Sequence, residues 1–251
     1  MTETKSVTAA LLVIGDEILS GRTKDKNIGI VADYLTNIGI DLCEVRVVPD
    51  MIDVIAEALN ALRVRYTYVF TTGGIGPTHD DMTADAVATA FNVEISEDPR
   101  VISVLLQWMK REDLNEARRR MARIPHGAEL VENDLSKVPG FWIGNVIVMA
   151  GVPAIMQAML AAVGPKLEVG PRTVSLTIIA GNVAEGTYAA DLGAVASLYP
   201  DVSIGSYPSM ADGRYNNEIV VRGKDAEKVA EAATKIEAFL ARMQTKEFEP
   251  R

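Results

Sequence analysis

Hydrophobic positions along the chain recur with two different periods, and the way these periods alternate predicts the fold. Val7 to Ile14 is an unbroken apolar run of strand length, the pattern of a parallel strand buried on both faces. From Asn27 to Ile38 the residues Ile28, Val31, Leu35 and Ile38 recur at helical spacing, and Gly39 stands where a C-terminal cap belongs. Leu42 to Val48 predicts a second strand, Ile52, Ile55, Leu59 and Leu62 a second helix, and Tyr66 to Phe70 a third strand. The order β-α-β-α-β is the signature of a doubly wound α/β sheet. Asp81 is placed to cap a helix running to about Phe91, and Asp98 before Pro99 opens another that carries Ile102, Leu105, Leu106 and Met109. Asn145 to Met149 reads as a further strand. After the break at Gly151, Val152 and Pro153, the positions Ile155, Met156, Met159, Leu160 and Val163 mark a helix whose methionines read as core.

The stretch from Pro165 to Pro171 has the chemistry of a linker, and it divides the chain into a main domain, 1–168, and a small one, 169–251. Thr173 to Ala180, Val202 to Tyr207 and Asn217 to Arg222 read as strands. Helices are expected around Tyr188 to Leu198 and from Glu227 to Met243, with a frayed tail beyond. This is a small α+β unit.

Composition adds limits. The 251 residues are 48% hydrophobic and 24% charged, a balance that folds throughout. The net charge of −9 is spread in mixed signs, so no nucleic-acid footprint is expected, and an anionic ligand has to be met by backbone N–H groups, a helix N-terminus, a few cations or a metal. Cys43 is the single cysteine, which rules out an intrachain disulfide or a Cys-based zinc cluster and suits a reducing cytoplasm. The opening Met1 to Ser6 is polar and the first apolar run is too short for a membrane span, so a cytoplasmic protein without membrane attachment is expected.

Chemistry concentrates in Thr71-Thr72-Gly73-Gly74-Ile75-Gly76-Pro77-Thr78-His79-Asp80-Asp81, set between a buried strand and a helix. Three glycines and a proline by themselves make a tight turn. At the carboxyl end of a parallel strand they also let backbone N–H groups approach a phosphate, with Thr71, Thr72 and Thr78 as hydroxyl donors. The spacing fits neither the Walker loop nor the dinucleotide fingerprint. Asp80 and Asp81 beside such a cradle suggest a divalent cation, although Asp81 as a helix cap and a solvated Asp80 fit the same letters. The loop Gly15-Asp16-Glu17 follows the first strand and Asp50 the second, so both acids should emerge at the same sheet edge, with Asp50 open to a capping role as well. His79 is equally a phosphate partner or a bystander, and His126 reads as a surface turn residue. Trp108 and Trp142 are assigned to core or pocket packing.

Gly15 to Gly21 (Gly-Asp-Glu-Ile-Leu-Ser-Gly) paired with Thr71 to Thr83 resembles the MoaB/Mog molybdopterin-binding domain, in its CinA (competence/damage-inducible) branch. Ser203 to Pro208 is similar to the KH-like domain that follows in that branch. The resemblance implies a three-layer, mostly parallel α/β fold, a pterin or nucleotide pyrophosphate ligand, and a homo-oligomer, dimer or trimer. It also implies either adenylyl transfer to molybdopterin or cleavage of ADP-ribose-like pyrophosphates with Mg, Mn or Co. By resemblance Asp81 and Asp50 are the functional acids; the reading of the residues themselves adds Asp16, Asp80 and Asp81 as the metal set and Gly15, Glu17, Thr71, Thr72, Gly73, Gly74, Gly76, Pro77, Thr78 and Gly151 as the ligand contacts. Two departures stand out. The branch's deamidase domain does not follow before Arg251, so nicotinamide mononucleotide deamidation is not expected, and Ile155 replaces the glutamate of the family's Leu-Pro-Gly-Val-Pro-x-Glu-Met segment. That replacement leaves slow turnover, another substrate or a non-catalytic binding module as readings.

Overall fold

The computed structural model describes residues 6–211 and 213–246. Its first half runs β1 (Val7–Ile14), α1 (Asp16–Leu19), α2 (Asn27–Ile38), β2 (Ile40–Val48), α3 (Ile52–Arg63), β3 (Tyr68–Thr72) and α4 (Thr83–Phe91). Then come β4 (Ile95–Glu97), α5 (Pro99–Leu105), α6 (Glu116–Arg120), β5 (Arg123–Pro125), β6 (Glu129–Val131), β7 (Gly140–Ile143), β8 (Val146–Met149) and α7 (Pro153–Val163). The main sheet has the order β2-β1-β3-β8-β7-β6; its first four strands are parallel, and β7 and β6 add an antiparallel edge.

The unbroken apolar run of β1 is explained by its place at the centre. Ala10, Leu12 and Ile14 enter a core closed by α3, α4 and α5, while Val7, Ala9, Leu11 and Val13 enter a second core under α2 and α7. A strand with helices on both faces has no solvent side on which to place polar residues. The result is the three-layer, mostly parallel α/β architecture.

Several boundaries differ from the sequence expectation. β3 begins at Tyr68 and extends through Thr71 and Thr72, so both threonines lie within the buried ladder instead of the loop. Helix α4 starts at Thr83 with Met82 as its N-cap, and α3 starts after Met51, so neither Asp81 nor Asp50 caps a helix. Asp98 does cap α5, accepting the Arg100 N–H at 2.8 Å with Pro99 at the first position. That helix ends at Leu105, short of Met109. The strands β4 to β7 and helix α6 are too short to produce a readable period. Trp142 packs edge-on to Tyr68, whereas Trp108 is 66% exposed rather than packed in a core.

The chain separates into two units after Gly170. Residues expected as linker are held to the first unit: Leu167 is buried in its second core, Glu168 donates its N–H to the Tyr68 hydroxyl and Gly170 donates to the Gly39 carbonyl. The second unit comprises β9 (Val174–Gly181), α8 (Glu185–Leu198), β10 (Ser203–Tyr207), β11 (Met210–Ala211), β12 (Arg214–Tyr215), β13 (Asn217–Gly223) and α9 (Ala226–Lys246). β13 lies between β10 and β9 in an antiparallel sheet, and Ile219, Val221, Ile236 and Phe239 are buried in its core. Helix α9 continues past Met243 to Lys246; the remainder of the tail read as frayed, 247–251, lies outside the described residues.

The Arg100 side chain holds the Asp98 carboxyl below the usual carboxylate range. A depressed folded value means that the stabilisation is present above the unfolded value and fades as pH falls through the folded one. Asp98→Ala should therefore cost about 1 kcal/mol at pH 7, and the deficit should shrink below roughly pH 4. Urea titration of both proteins checks this, and a deficit that grows in acid contradicts it.

Candidate functional site

The carboxyl ends of β1, β3 and β8 converge on the glycine loop. Gly73 donates its N–H to the Met149 carbonyl at 3.2 Å, and its φ of 102° lies where only glycine is at ease. A β-carbon there would collide with the Ile14 carbonyl oxygen, and one at Gly74 with the Thr83 hydroxyl. Thr83, fully buried, closes the loop by donating its hydroxyl to the Gly73 carbonyl at 2.9 Å and its N–H to the Gly74 carbonyl at 3.0 Å. On the other side a β-carbon on Gly151 would sit 3.2 Å from the Gly73 Cα.

With the loop pinned in this way, the N–H groups of Gly74 and Ile75 have no acceptor among the described residues. Both residues line a cavity of 440 Å³. Consecutive unpaired amides at a left-handed turn form a concave seat for an anion. The cavity walls are largely apolar, with Met121, Val138, Val152, Ile155 and Met159, while Glu17 and Asp81 lie at its border. Ile155, where relatives are expected to carry glutamate, thus forms part of the wall.

Asp81 holds the shape of the loop. Its carboxylate accepts the Gly76 N–H at 2.6 Å, the Thr78 N–H at 2.8 Å and the Thr78 hydroxyl at 2.6 Å. Arg120 clamps the same residue by donating to its carbonyl at 3.0 and 3.2 Å. Three donors on two oxygens leave Asp81 poorly suited to a metal, and they also commit the Thr78 hydroxyl. Pro77, Thr78, His79 and Asp80 are exposed, with His79 beside Arg119, Arg120 and Arg123. The Thr71 and Thr72 hydroxyls are sealed from solvent and have no partner among the described residues, so they do not donate into this cavity.

Asp50 is the electrostatically unusual acid. Its Oδ2 accepts the Asp16 N–H at 2.9 Å, which joins the loops after β1 and β2, while Gly15 donates to the Val48 carbonyl at 3.1 Å. Burial pushes its carboxyl above the usual range, the Asp16 amide opposes this, and the charges of Asp16, Glu17 and Asp80 push it further up. Among the described residues none of these four acids forms an ion pair. Among those residues there is no group of three or more His, Cys, Asp or Glu that could hold a metal ion, so Asp16, Asp80 and Asp81, expected as the metal set, do not form one. The charges of Asp16, Glu17 and Asp80 all bear on Asp50, while Asp80 itself is held below the usual range by the Thr78 side chain, with His79 and Arg120 adding to the effect.

Sequence reasoning missed Asn27, Arg120, Met121 and Val138. Asn27 is buried at the start of α2 and donates its Nδ2 to the Gly151 carbonyl at 2.8 Å. The other three come from the aperiodic segment between α5 and β7, which gives no sign that it folds back over the glycine loop.

Residues 10–169, well over half of the chain, match the family described as "Probable molybdopterin binding domain". The chain belongs to the molybdopterin-binding domain family. Residues 173–248 match a second family, "FAD synthase, middle domain". A protein of Archaeoglobus fulgidus is 34% identical over 232 residues, 92% of this chain and 96% of that protein. A CinA-like protein of Citrifermentans bemidjiense is 38% identical over 157 residues, 60% of this chain and 38% of that longer protein. The crystal structure of CinA from Thermoplasma acidophilum, described as of unknown function, superimposes with a TM-score of 0.61 at 31% identity, over 64% of this chain and 98% of that one. Among the described residues no helix is long and apolar enough to cross a membrane.

Two outcomes follow for this molybdopterin-binding domain. Gly73→Ala should destabilise the protein by at least about 2 kcal/mol, because a strained φ is added to a backbone collision; an unchanged denaturation midpoint would contradict the geometry. For Asp50 the folded value lies above the unfolded one, so its contribution to stability is full below the unfolded value and is lost as pH rises through the folded value. Asp50→Asn, which keeps an acceptor for the Asp16 amide, should melt higher than wild type at pH 7 in EDTA, with the gap closing in acid. Equal melting at pH 7 would remove the claim of electrostatic strain.

Proposed function

We propose that this chain is a metal-dependent hydrolase of nucleoside-diphosphate-linked compounds such as ADP-ribose. The observation that carries this reading is the pair of unpaired amides at Gly74 and Ile75, which open into a cavity with apolar walls and an acidic border. Amides seat the pyrophosphate without a Walker lysine, and the apolar wall suits a flat heteroaromatic ring.

The reaction adds water across the phosphoanhydride. The water oxygen bonds to phosphorus, the bridging P–O bond breaks, and ADP-ribose gives AMP and ribose 5-phosphate. Asp50 takes the water proton on Oδ1, the oxygen not occupied by the Asp16 amide; burial and the neighbouring acids raise its affinity for protons, which makes it a stronger base than an ordinary carboxylate. Since Asp16, Glu17 and Asp80 do not form a ligand set of three, Mg²⁺, Mn²⁺ or Co²⁺ would have to take ligands from the substrate's phosphates besides one or two of these acids. When bound, such an ion neutralises charge on the pyrophosphate oxygens. Asp81 keeps the loop in its binding shape, so its role is positioning.

A second reading is pterin binding with adenylyl transfer. It is favoured by the apolar wall to which Ile155 contributes and by the family to which the chain belongs. The match to the FAD synthase middle domain fits either reading, since FAD is itself a pyrophosphate-linked dinucleotide.

Release of mononucleotide from ADP-ribose, FAD and CoA with each metal tests the proposal. Wild type should turn over at least one substrate, and Asp50→Asn should lose about 100-fold or more in kcat. Absence of turnover with every substrate and metal sinks the hydrolase. Pterin fluorescence retained in the purified protein would then favour the transferase, and binding without turnover a non-catalytic module.

A further inference from the structure

The amides of Gly74 and Ile75 and part of the apolar wall of the 440 Å³ cavity come from distant parts of the chain. Ser136 and Val138, two of the lining residues, lie in the connection 132–139, which joins β6 to β7 across the pair Val131 and Gly140. A hairpin connection usually has roughly two to five residues, and a longer one needs partners of its own to keep a single shape.

Asn133 supplies those partners. It is buried, and its Oδ1 accepts the Leu135 N–H at 3.1 Å, the Ser136 N–H at 2.8 Å and the Ser136 hydroxyl at 3.2 Å, while its Nδ2 donates to the Val138 carbonyl at 2.7 Å. One side-chain amide thus fastens both cavity residues of the connection, Ser136 by its oxygen and Val138 by its nitrogen. Between them Lys137 has a φ of 61°, a left-handed conformation that a lysine keeps only where its surroundings impose it. Its ammonium lies 3.1 Å from the Asp134 carboxylate and 5.7 Å from the centre of the Trp108 ring, partners that do not line the cavity. None of these bonds reaches the glycine loop, whose shape is held by Thr83, Asp81 and Arg120. The anion seat and this stretch of wall are therefore fixed by separate sets of bonds.

We propose that Asn133 is the positioning residue of the ring-binding wall: it sets where Ser136 and Val138 stand, and so governs affinity for the aromatic base of the ligand without altering the hold on its diphosphate. The inference rests on the pyrophosphate reading above for the class of ligand, and it assigns recognition of the base to a residue outside the glycine loop.

Isothermal titration of the full chain in Mg²⁺ tests it with two probes that cannot be hydrolysed at the bridge, α,β-methylene-ADP and methylenediphosphonate, the second being the first without its adenosine. Asn133→Asp keeps an acceptor for Leu135 and Ser136 and sets a carboxylate oxygen against the Val138 carbonyl in place of the donor. Wild type should bind the nucleotide more tightly than methylenediphosphonate. In Asn133→Asp the nucleotide should lose about tenfold in affinity and methylenediphosphonate less than twofold. A merely structural role would lower both affinities together or neither, and either result overturns the proposal, as does nucleotide binding in wild type no tighter than that of methylenediphosphonate. Should the variant fail to fold, NMR of wild type decides the matter: the nucleotide should shift the Asn133 side-chain NH2 and the Ser136 amide, and methylenediphosphonate neither. Equal shifts with both probes, or none with the nucleotide, overturn it. Turnover of ADP-ribose separates this inference from the hydrolase. A selective loss of nucleotide affinity without turnover in wild type upholds Asn133 and removes the hydrolase, whereas turnover with a KM unchanged in Asn133→Asp does the reverse.

Discussion

The space a side chain would need at Gly73 is filled by the carbonyl oxygen of Ile14. Strand β1 therefore passes against the end of β3 at backbone contact distance, and the hydrogen bond from Gly73 to Met149 brings β8 to the same point. Gly151 then crosses the Gly73 Cα with no room to spare. The cavity takes a wall from this crossing, since Gly73 and Gly151 both line it. The parallel sheet needs helices on both faces to bury β1, and those helices place the N-terminus of α2 and the start of α7 beside the crossing.

Much of this architecture was legible in the sequence. The apolar run of β1 and the helical spacing of Ile28, Val31, Leu35 and Ile38 predict elements whose ends match the structure, because burial on two faces and on one face leave different periods. The helix caps were read less well. Asp98 before Pro99 behaves as its letters suggest, while Asp81 and Asp50 look like caps and are not, since donors of its own glycine loop claim the oxygens of Asp81 and the Asp16 amide, from the loop after β1, claims Asp50. Thr71 and Thr72 resembled loop donors only because the strand was expected to end two residues early. Residues that cover the site from the segment between α5 and β7 were invisible: contacts across about forty positions leave no local period.

The two aspartates have divided roles that sequence resemblance treats as one. Asp81 has its charge spread over three donors and holds a loop, and Asp50 has one donor and three like charges nearby. A carboxylate with three hydrogen-bond donors on its two oxygens has little room for a further ligand, whereas a partly buried one among like charges gains from a cation or a proton. On the proposed function, the acid that acts on substrate is thus one whose charge is strained in the resting fold.

On the proposed function, an acidic chain has to seat a pyrophosphate against a repulsion which its few cations at the site do not remove, because Arg123 is committed to Asp85 and Arg120 to the Asp81 carbonyl. Backbone amides are then the main attraction, and they act only within hydrogen-bond distance, which requires loop glycines with nothing projecting into the seat. At Ile155, where the family resemblance leads one to expect glutamate, the cavity wall carries apolar surface and no charge. Both features favour a bound anion that carries an aromatic ring. An isoleucine there therefore need not weaken binding, and on the proposed function any cost of lacking a carboxylate at this position should appear in the chemical step.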